Sequence, residues 1–443
     1  MFFRSLFRGG VHPPENKDRT AGLPSIEAPR PASLVVPFAQ HIGKPALPIV
    51  KVNSRVKRGQ LLAEHAGYVS AGVHAPASGT VKAIVQTRHP VGMIVDAVRI
   101  DLDPEDEWDD SCRLDRSRAE IESIGRDAIR ALVTAAGIVG MGGAAFPSHV
   151  KLSPPADKPI EWLILNGVEC EPHLACDHRL MLENPREIIL GSRLFMRAVE
   201  ARRGVVIGIE ANKPDARQAL DAAIRHEGLA DEIQTRLLPV RYPQGAEKQL
   251  IQALLGREVP SGGLPADVGV VVHNVASAQA GFDAVAHGRP LTERIVTVTG
   301  PCVARPANYR ARIGTPAQHL LDHAGFDSAR CRRLLAGGPM MGLAQCDSGF
   351  VVVKGLGGIL ALDKEAPRAH GPCIRCGRCV DACPTGLLPC ALSILGETNR
   401  LAEAGRENAR DCIECGACSY VCPAKRPILH WIRAEKAVLA GSA

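Results

Sequence analysis

The sequence predicts a multidomain protein that combines α/β and α+β domains. Three observations support this prediction. The chain has 443 residues, more than a single hydrophobic core usually serves. Its middle part alternates strand-like and helical segments, and its C-terminal part holds two regular runs of cysteines. With 46% hydrophobic and 23% charged residues, the composition is that of a soluble globular protein.

Residues 1–30 form an N-terminal segment, and residues 31–102 predict a compact β-domain. In the latter, Pro and Gly interrupt short apolar runs such as residues 69–73. The first residues are too short an apolar stretch for a secretory signal. The acidic stretch 101–110 is interpreted as a solvated linker.

Residues 118–276 predict an α/β domain with a largely parallel sheet, because apolar strand-like runs alternate with amphipathic helical runs. The predicted strands cover residues 161–165, 204–209 and 268–272, and the predicted helices cover residues 180–202 and 214–227. Residues 285–345 predict a small α+β domain with a strand over 294–300 and a helix over 315–324. A glycine-rich connection then leads to a cysteine module within residues 363–430.

The cysteine module carries the strongest chemical signal in the chain. Each of two runs has the spacing Cys-x2-Cys-x2-Cys-x3-Cys-Pro, which is the pattern of bacterial ferredoxins with two [4Fe–4S] clusters. In such proteins the fourth cysteine of each run ligates the other cluster. The predicted ligand sets are therefore Cys373, Cys376, Cys379 and Cys422 for one cluster, and Cys412, Cys415, Cys418 and Cys383 for the other.

Two structural zinc sites are the alternative for the same cysteines. Zinc is satisfied by two Cys-x2-Cys pairs and does not explain two four-cysteine runs that each end in Cys-Pro. The long segment 387–404 between the runs predicts a helical module, in which Cys390 is a spare buried thiol. The remaining cysteines show no ligand spacing and are predicted to be core residues: Cys112, Cys170, Cys176, Cys302, Cys331 and Cys346.

Two loops of the α/β domain predict a flavin or nicotinamide site. Residues 137–148 are rich in glycine and precede Lys151, and such a backbone can approach a phosphate closely. This loop alone is a weak signal, because most glycine-rich loops are turns. The second loop, with Asn166, Glu169 and Glu171, follows an apolar strand directly, and ligands of open α/β sheets bind at the carboxyl ends of strands. A solvated loop is the alternative for this second element.

Taken together, these motifs resemble those of the FMN- and NADH-binding flavoprotein subunit of respiratory complex I. A closer resemblance is to the C subunit of the Rnf ion-translocating electron-transport complex. The motifs that carry it are GGVHPP (9–14), QHIG (40–43), LNGVECEP (165–172), YPQGAEKQ (242–249) and GGPMMG (337–342). The resemblance covers nearly the whole chain.

The resemblance implies a β-rich barrel-sandwich hybrid domain, a flavoprotein-like α/β domain, a soluble-ligand-binding β-grasp domain and a helical dicluster ferredoxin domain. It also implies an FMN site. Its glycines and polar residues form the cradle, Phe146 stacks on the nucleotide, Asn274 closes the site, and two carboxylates that face flavin or nicotinamide are the catalytic candidates. The cradle residues are Gly140, Gly142, Gly143, Lys151 and Asn166, and the carboxylates are Glu169 and Glu171. The chain departs from the complex I pattern at Met141, Val168 and Ala145, which replace an arginine, an aspartate and a glycine.

As the resemblance implies, this chain is an enzyme subunit, part of an ion-translocating ferredoxin:NAD oxidoreductase. It is peripheral, lies on the cytoplasmic side of the inner membrane and is held there by partner subunits. It passes electrons between NAD(H) and, indirectly, ferredoxin through FMN and two [4Fe–4S] clusters. Nucleic acid is not an expected partner, since the net charge of +6 is spread out. Two alternatives stay open: a relay or scaffold subunit with a degenerate flavin site, and a soluble NADH-dependent dehydrogenase. The direction of electron flow, the ion moved and the cluster nearer the flavin also stay open.

Overall fold

The computed structural model describes residues 7–364 and 369–441. The first residues, on which the prediction against a secretory signal depends, lie mostly outside this range. The strands of the N-terminal half are β1 (Ser25–Glu27), β2 (Ser33–Pro37), β3 (Leu47–Pro48), β4 (Arg55–Val56), β5 (Leu61–Glu64), β6 (Val73–His74), β7 (Gly79–Arg88), β8 (Ile94–Leu102), β9 (Trp162–Gly167) and β10 (Gly204–Glu210). The later strands are β11 (Ile233–Leu238), β12 (Val270–Asn274), β13 (Glu293–Thr299), β14 (Ala307–Arg312), β15 (Arg333–Ala336), β16 (Leu343–Gln345) and β17 (Gly358–Leu362).

The helices before the cysteine module are α1 (Arg118–Ser123), α2 (Arg126–Ala135), α3 (Ser148–Lys151), α4 (Cys176–Glu183), α5 (Pro185–Val199), α6 (Pro214–Glu227), α7 (Glu247–Leu255), α8 (Val275–His287) and α9 (Ala317–His323). Those of the module are α10 (Arg378–Ala382), α11 (Pro389–Glu397), α12 (Leu401–Arg406), α13 (Ala417–Tyr420) and α14 (Ile428–Gly441). Short 3-10 helices occur at Asp110–Cys112, Pro265–Val268 and Ala409–Asp411.

The predicted β-domain consists of two small sheets, with strand orders β2-β8-β7-β4 and β3-β5-β6. Its strand pairs are antiparallel, as turn-rich short strands favour. Of the apolar run 69–73, only Val73 belongs to a strand, β6. One expectation about this domain is wrong. The acidic stretch 101–110 is not a free linker, because Asp106 accepts a hydrogen bond from the backbone N–H of Ser78 at 2.9 Å and pairs with Arg312 at 3.1 Å.

The α/β domain contains the predicted parallel sheet, in the order β11-β10-β9-β12. Every residue of β10 is buried, as expected for a strand covered on both faces. The predicted helix over 180–202 is in fact two helices, α4 and α5. Pro185 causes this break, because proline lacks the N–H that a continuing helix needs but is favoured at the first helical position. The predicted helix over 214–227 matches α6.

The third domain contains a mixed sheet, named the third sheet after this domain, with the order β1-β14-β13-β17-β15-β16. Two of its strands come from outside the predicted 285–345 region. Strand β1, from the N-terminal segment, pairs in parallel with β14, and β17 lies between β13 and β15. Strand β1 adds at the edge of the sheet, where unpaired backbone groups can accept a further strand. Strand β17 is central, and its first residue, Gly358, belongs to the predicted glycine-rich connection.

The cysteine module is helical within the described part of residues 369–441, as predicted. Its predicted helical segment 387–404 is interrupted after Glu397, and α12 begins at Leu401. Helices α11 and α14 pack together over a core that includes Leu392 and Ile432. Across the described chain, no helix has the length and apolar character needed to cross a membrane.

Candidate functional site

The glycine-rich loop lies beside the carboxyl end of β12. The N–H of Gly140 donates to the carbonyl of Phe146 at 2.8 Å, which closes the loop into a tight turn. A side chain at Gly142 would meet Asn274, since an ideal Cβ there would lie 3.4 Å from its Nδ2. Gly143 has a φ of +117° and open space on its Cβ side, so its backbone is accessible to a ligand. Ala145 adopts a left-handed φ of 49°, at the position where the complex I pattern has glycine.

The side chains of Phe146 and Ala145 in this loop are half-buried, and Lys151 ends α3, directly after the loop. The Lys151 ammonium pairs with a carboxylate oxygen of Glu247 at 2.5 Å and donates to the carbonyl of Val272 at 3.1 Å. Its side chain is 31% exposed, so the charge remains within reach of a ligand. The sequence did not single out Glu247 as a site residue, although it belongs to the YPQGAEKQ motif.

Asn166 and Asn274 end the neighbouring strands β9 and β12 and are paired in register. The Asn166 amide donates to the carbonyl of Gly245 at 2.8 Å, which brings the 242–247 turn to this edge. The Asn274 side chain accepts from the N–H of Ala276 and so caps α8. Its Nδ2 donates to Asp177 at 2.7 Å. Burial, followed by the nearby Glu169 charge, raises the pKa of Asp177 to about 7.

Glu169 does not face open space, which corrects the expectation for this residue. Its carboxylate accepts hydrogen bonds from the N–H groups of Asp177 at 2.8 Å and His178 at 3.2 Å, at the start of α4. The side chain is only 4% exposed, and the Lys17 ammonium lies 3.8 Å away. Burial acts to raise the pKa of Glu169, but Lys17 and Lys213 hold it below its ordinary value. The charged Glu169 carboxylate therefore caps the N-terminus of α4 and holds the loop after β9 against it.

The carboxylate of Glu171 is also hydrogen-bonded within the protein, so it differs from the expectation that it faces a cofactor. Its two carboxylate oxygens accept from the N–H groups of Met340 at 3.2 Å and Met341 at 2.6 Å. These amides belong to the GGPMMG loop of the third sheet. Burial raises the pKa of Glu171 to about 7. Glu171 thus joins the loop after β9 to the third sheet, and a contact of its carboxylate with flavin or nicotinamide remains a prediction.

The eight predicted ligand cysteines fall into two groups. Four of them line one cavity of the module: Cys373, Cys376, Cys379 and Cys422. The other group consists of Cys383 with Cys412, Cys415 and Cys418. Cys383 lies close enough to these three thiols for its negative charge to raise the pKa of each. These are the two sets that crossed ligation predicts, and four thiols in each set suit an iron–sulfur cluster. Cys390, predicted as a spare thiol, lies against Cys379 and lines the same cavity.

A second cavity, of about 200 Å³, lies at the junction of the β-domain, the α/β domain and the third sheet, and no sequence motif indicated it. Arg58, Trp108, Asp283 and Arg294 are among its lining residues. The predicted flavin residues do not line this cavity, so the cavity is not the predicted flavin site. The site at the sheet edge is instead defined by the strand ends and the glycine loop.

Comparison with known families assigns each part of the chain separately. Residues 5–105 match the RnfC barrel sandwich hybrid domain, and residues 133–281 match the Nuo51 FMN-binding domain. Residues 295–344 match the SLBB domain, and residues 372–425 match the 4Fe-4S dicluster domain. These matches confirm the four predicted kinds of domain and the FMN and [4Fe–4S] cofactors.

A parallel α/β sheet with a glycine loop at its carboxyl edge, joined to a module with two sets of four cysteines, defines an electron-transfer flavoprotein with iron–sulfur clusters. The chain belongs to the RnfC family, the C subunits of ion-translocating ferredoxin:NAD(+) oxidoreductase complexes. It is 45% identical to the C subunit of the proton-translocating complex of Clostridium ljungdahlii, over 97% of this chain and 93% of the relative. It is 43% identical to the C subunit of the Na(+)-translocating complex of Acetobacterium woodii, over 97% and 96%.

A solved structure shows a related fold. A chain of an NAD+-reducing [NiFe]-hydrogenase matches with a TM-score of 0.50 and 20% sequence identity, covering 71% of this chain and 66% of that chain. At this identity the likeness concerns the fold alone.

Proposed function

We propose that this chain is the peripheral subunit that exchanges electrons with NAD(H) in an ion-translocating ferredoxin:NAD(+) oxidoreductase complex. The observation that carries the proposal is that two four-thiol sets and a glycine-loop site at a parallel sheet edge occur in one chain. The names of the relatives support the overall reaction. When bound, FMN accepts the two electrons of a hydride and releases them singly to clusters that each accept one.

The residues at the sheet edge hold the FMN in this proposal. The accessible backbone at Gly142 and Gly143 allows a phosphate to approach, and Lys151 adds a positive charge beside it. Phosphate competes with the Glu247 carboxylate for that ammonium. Asn166 and Asn274 are fixed by their bonds to Gly245 and Asp177, so the edge is organised before a ligand arrives.

The cysteines hold the clusters in two crossed sets. These cysteines bind a cluster as thiolates, so cluster binding releases their protons. Because each set takes its fourth cysteine from the other run, cluster binding ties α10 to α13 and stabilises the module as a unit. Association with the cytoplasmic face of the inner membrane occurs through partner subunits, and ferredoxin is an indirect partner.

One observation favours the second candidate, a relay subunit with a degenerate flavin site. The side chain at position 141, where the complex I pattern has arginine, is a methionine that is only 5% exposed. Lys151 is already paired with Glu247. Two other cations reach the loop, but both are buried: Lys354 donates to the carbonyl of Gly137, and Arg294 donates to the carbonyl of Met141. The cations at this loop are therefore already shared with protein partners.

The test is to purify the chain anaerobically, quantify iron, sulfide and FMN, add NADH, and record visible and EPR spectra. Bound FMN that NADH bleaches, followed by reduced [4Fe–4S] signals, supports the proposal. Clusters that dithionite reduces, without FMN or a response to NADH, support the relay candidate. Lys151→Met is expected to lower FMN content, whereas the matched variant Lys248→Met is not, since the Lys248 ammonium binds the carbonyl of Pro260 on the exposed surface.

A further inference from the structure

The cysteine module docks on the α/β domain through one of its two cysteine sets. The buried hydroxyl of Tyr242 donates to the carbonyl of Cys415 at 2.7 Å. Gln249 donates to the carbonyl of Pro384, the residue after Cys383, at 3.3 Å. The N–H of Gly10 donates to the carbonyl of Ala382 at 2.9 Å, directly before Cys383. Three contacts thus reach the module at or next to cysteines of the set that comprises Cys383, Cys412, Cys415 and Cys418.

Close backbone packing supports the same docking. An ideal Cβ on Gly9 would lie 2.5 Å from the carbonyl oxygen of Cys383. One on Gly416, next to Cys415, would lie 2.8 Å from the carbonyl oxygen of Met340. Only glycine permits approaches of this kind. Tyr242, Val11, Cys415 and other apolar groups form one small buried cluster across this contact.

The other cysteine set lies toward solvent. Cys376 is exposed and Cys373 is half-buried. The side chain between them, Ile374, is 64% exposed although it is apolar. Cys379 and Cys422 are buried, but within the core of the module itself.

The docked cysteine set is also connected to the predicted flavin residues through short segments of the chain. Tyr242 contacts Cys415, and three residues later the carbonyl of Gly245 accepts from Asn166. Three residues span at most about 11 Å between Cα atoms. Met340, which packs against Gly416, donates its N–H to Glu171 on the loop after β9. Two separate connections therefore link this cysteine set to the sheet edge.

We infer that Cys383, Cys412, Cys415 and Cys418 hold the inner cluster, which exchanges electrons directly with the flavin, and that Cys373, Cys376, Cys379 and Cys422 hold the outer cluster, which exchanges electrons with a redox partner protein. The inference rests on the proposed function. With NADH as reductant, one electron moves at each step. Each electron would pass from the flavin to the inner cluster and then from the inner to the outer cluster. No bond forms or breaks in these two transfers. Tyr242 is a positioning residue that fixes the module against the sheet edge.

The location of the two clusters can be tested without NADH. The full chain is reduced with dithionite, and EPR relaxation is recorded with a soluble dysprosium chelate, which acts most strongly on clusters near solvent. Cys376→Ser identifies the outer cluster by altering its signal, and Cys346→Ser is the matched control, an exposed cysteine that follows β16 of the third sheet. We expect the relaxant-sensitive signal to be the one altered in Cys376→Ser. The inference is overturned if the sensitive signal remains unaltered in that variant.

The order of reduction is tested by mixing the chain with limiting NADH and freezing samples at successive times. The relaxant-insensitive signal is expected to appear first, and its appearance is expected to be slower in Tyr242→Phe, with the bleaching of the flavin by NADH unchanged. First appearance of the relaxant-sensitive signal contradicts the inference. If NADH does not bleach the flavin, the proposed function fails, and the dithionite experiment still decides the location of each cluster.

Discussion

Glu171 gives the sharpest test of the electrostatics at the sheet edge, because two opposing effects act on its carboxyl group. Its two hydrogen bonds from Met340 and Met341 favour the charged form. Burial favours the neutral form, and it has the larger effect, since the pKa is raised from an ordinary 4.5 to about 7. Glu171→Gln imitates the neutral form at every pH, so it isolates the effect of this one ionisation.

The magnitude follows from the difference between the two pKa values. In the closed state the Met340–Met341 loop is bonded to Glu171, and in the open state Glu171 is solvated with its ordinary pKa of 4.5. Because its pKa is higher in the closed state, the protonated carboxyl group stabilises that state fully below pH 4.5. This stabilisation is lost as the pH rises through about 7. The complete loss is about 3 kcal/mol at 1.36 kcal/mol per pKa unit. About 1.4 kcal/mol of it falls between pH 6 and 8, which is a tenfold change in the opening equilibrium of the Met340–Met341 loop.

The assay is hydrogen exchange, followed by mass spectrometry, of the peptide that contains Met340 and Met341. The wild-type chain and Glu171→Gln are compared at each pH, which cancels the pH dependence of the chemical exchange rate. We expect the ratio of the wild-type exchange rate to that of the variant to rise about tenfold from pH 6 to pH 8, because the wild-type loop opens more readily at the higher pH. Glu227→Gln is the control, since this buried carboxylate is paired with Arg186 far along the chain from the loop.

Two results would refute the reasoning. If the ratio between wild type and variant does not change with pH, the carboxyl group is not desolvated. If the wild-type loop becomes more protected than the variant as the pH rises, the two N–H bonds outweigh burial and the pKa is lowered instead.

Three further predictions concern the fold and the ligand sets. Asn274→Ala removes the cap of α8 and the bond to Asp177, and we expect a loss of about 1–2 kcal/mol. The measurement is a lower thermal midpoint than that of the exposed control Glu105→Ala. Gly191→Ala places a Cβ 1.9 Å from the carbonyl oxygen of Ala278, where α5 and α8 pack. We expect about 3 kcal/mol of destabilisation, and an unchanged denaturation midpoint would contradict the packing. Cys390→Ala is expected to retain about eight irons per chain, whereas Cys415→Ala loses iron; equal losses in both variants would make Cys390 a ligand.

The sequence alone determined the elements that depend on local pattern or on the spacing of a few residues. The two cysteine runs predicted both ligand sets, because a cluster fixes the spacing of the residues that wrap around it. The alternation of apolar strands and amphipathic helices predicted the parallel sheet around β10. Asn166 was found because it lies at the end of a predicted strand, where the chain order already indicates a site. The glycine loop was found by its composition.

Only the tertiary structure decided which groups meet across domains. The family resemblance implied that Glu171 faces flavin or nicotinamide, yet its carboxylate accepts hydrogen bonds from the amides of Met340 and Met341 in a distant part of the chain. Strand β1 joins a sheet whose other strands begin after residue 290, and Tyr242 reaches the carbonyl of Cys415. The physical reason is the same in each case. Backbone N–H and C=O groups occur at nearly every residue, so a partner for them is selected by packing and not by a pattern that the sequence displays.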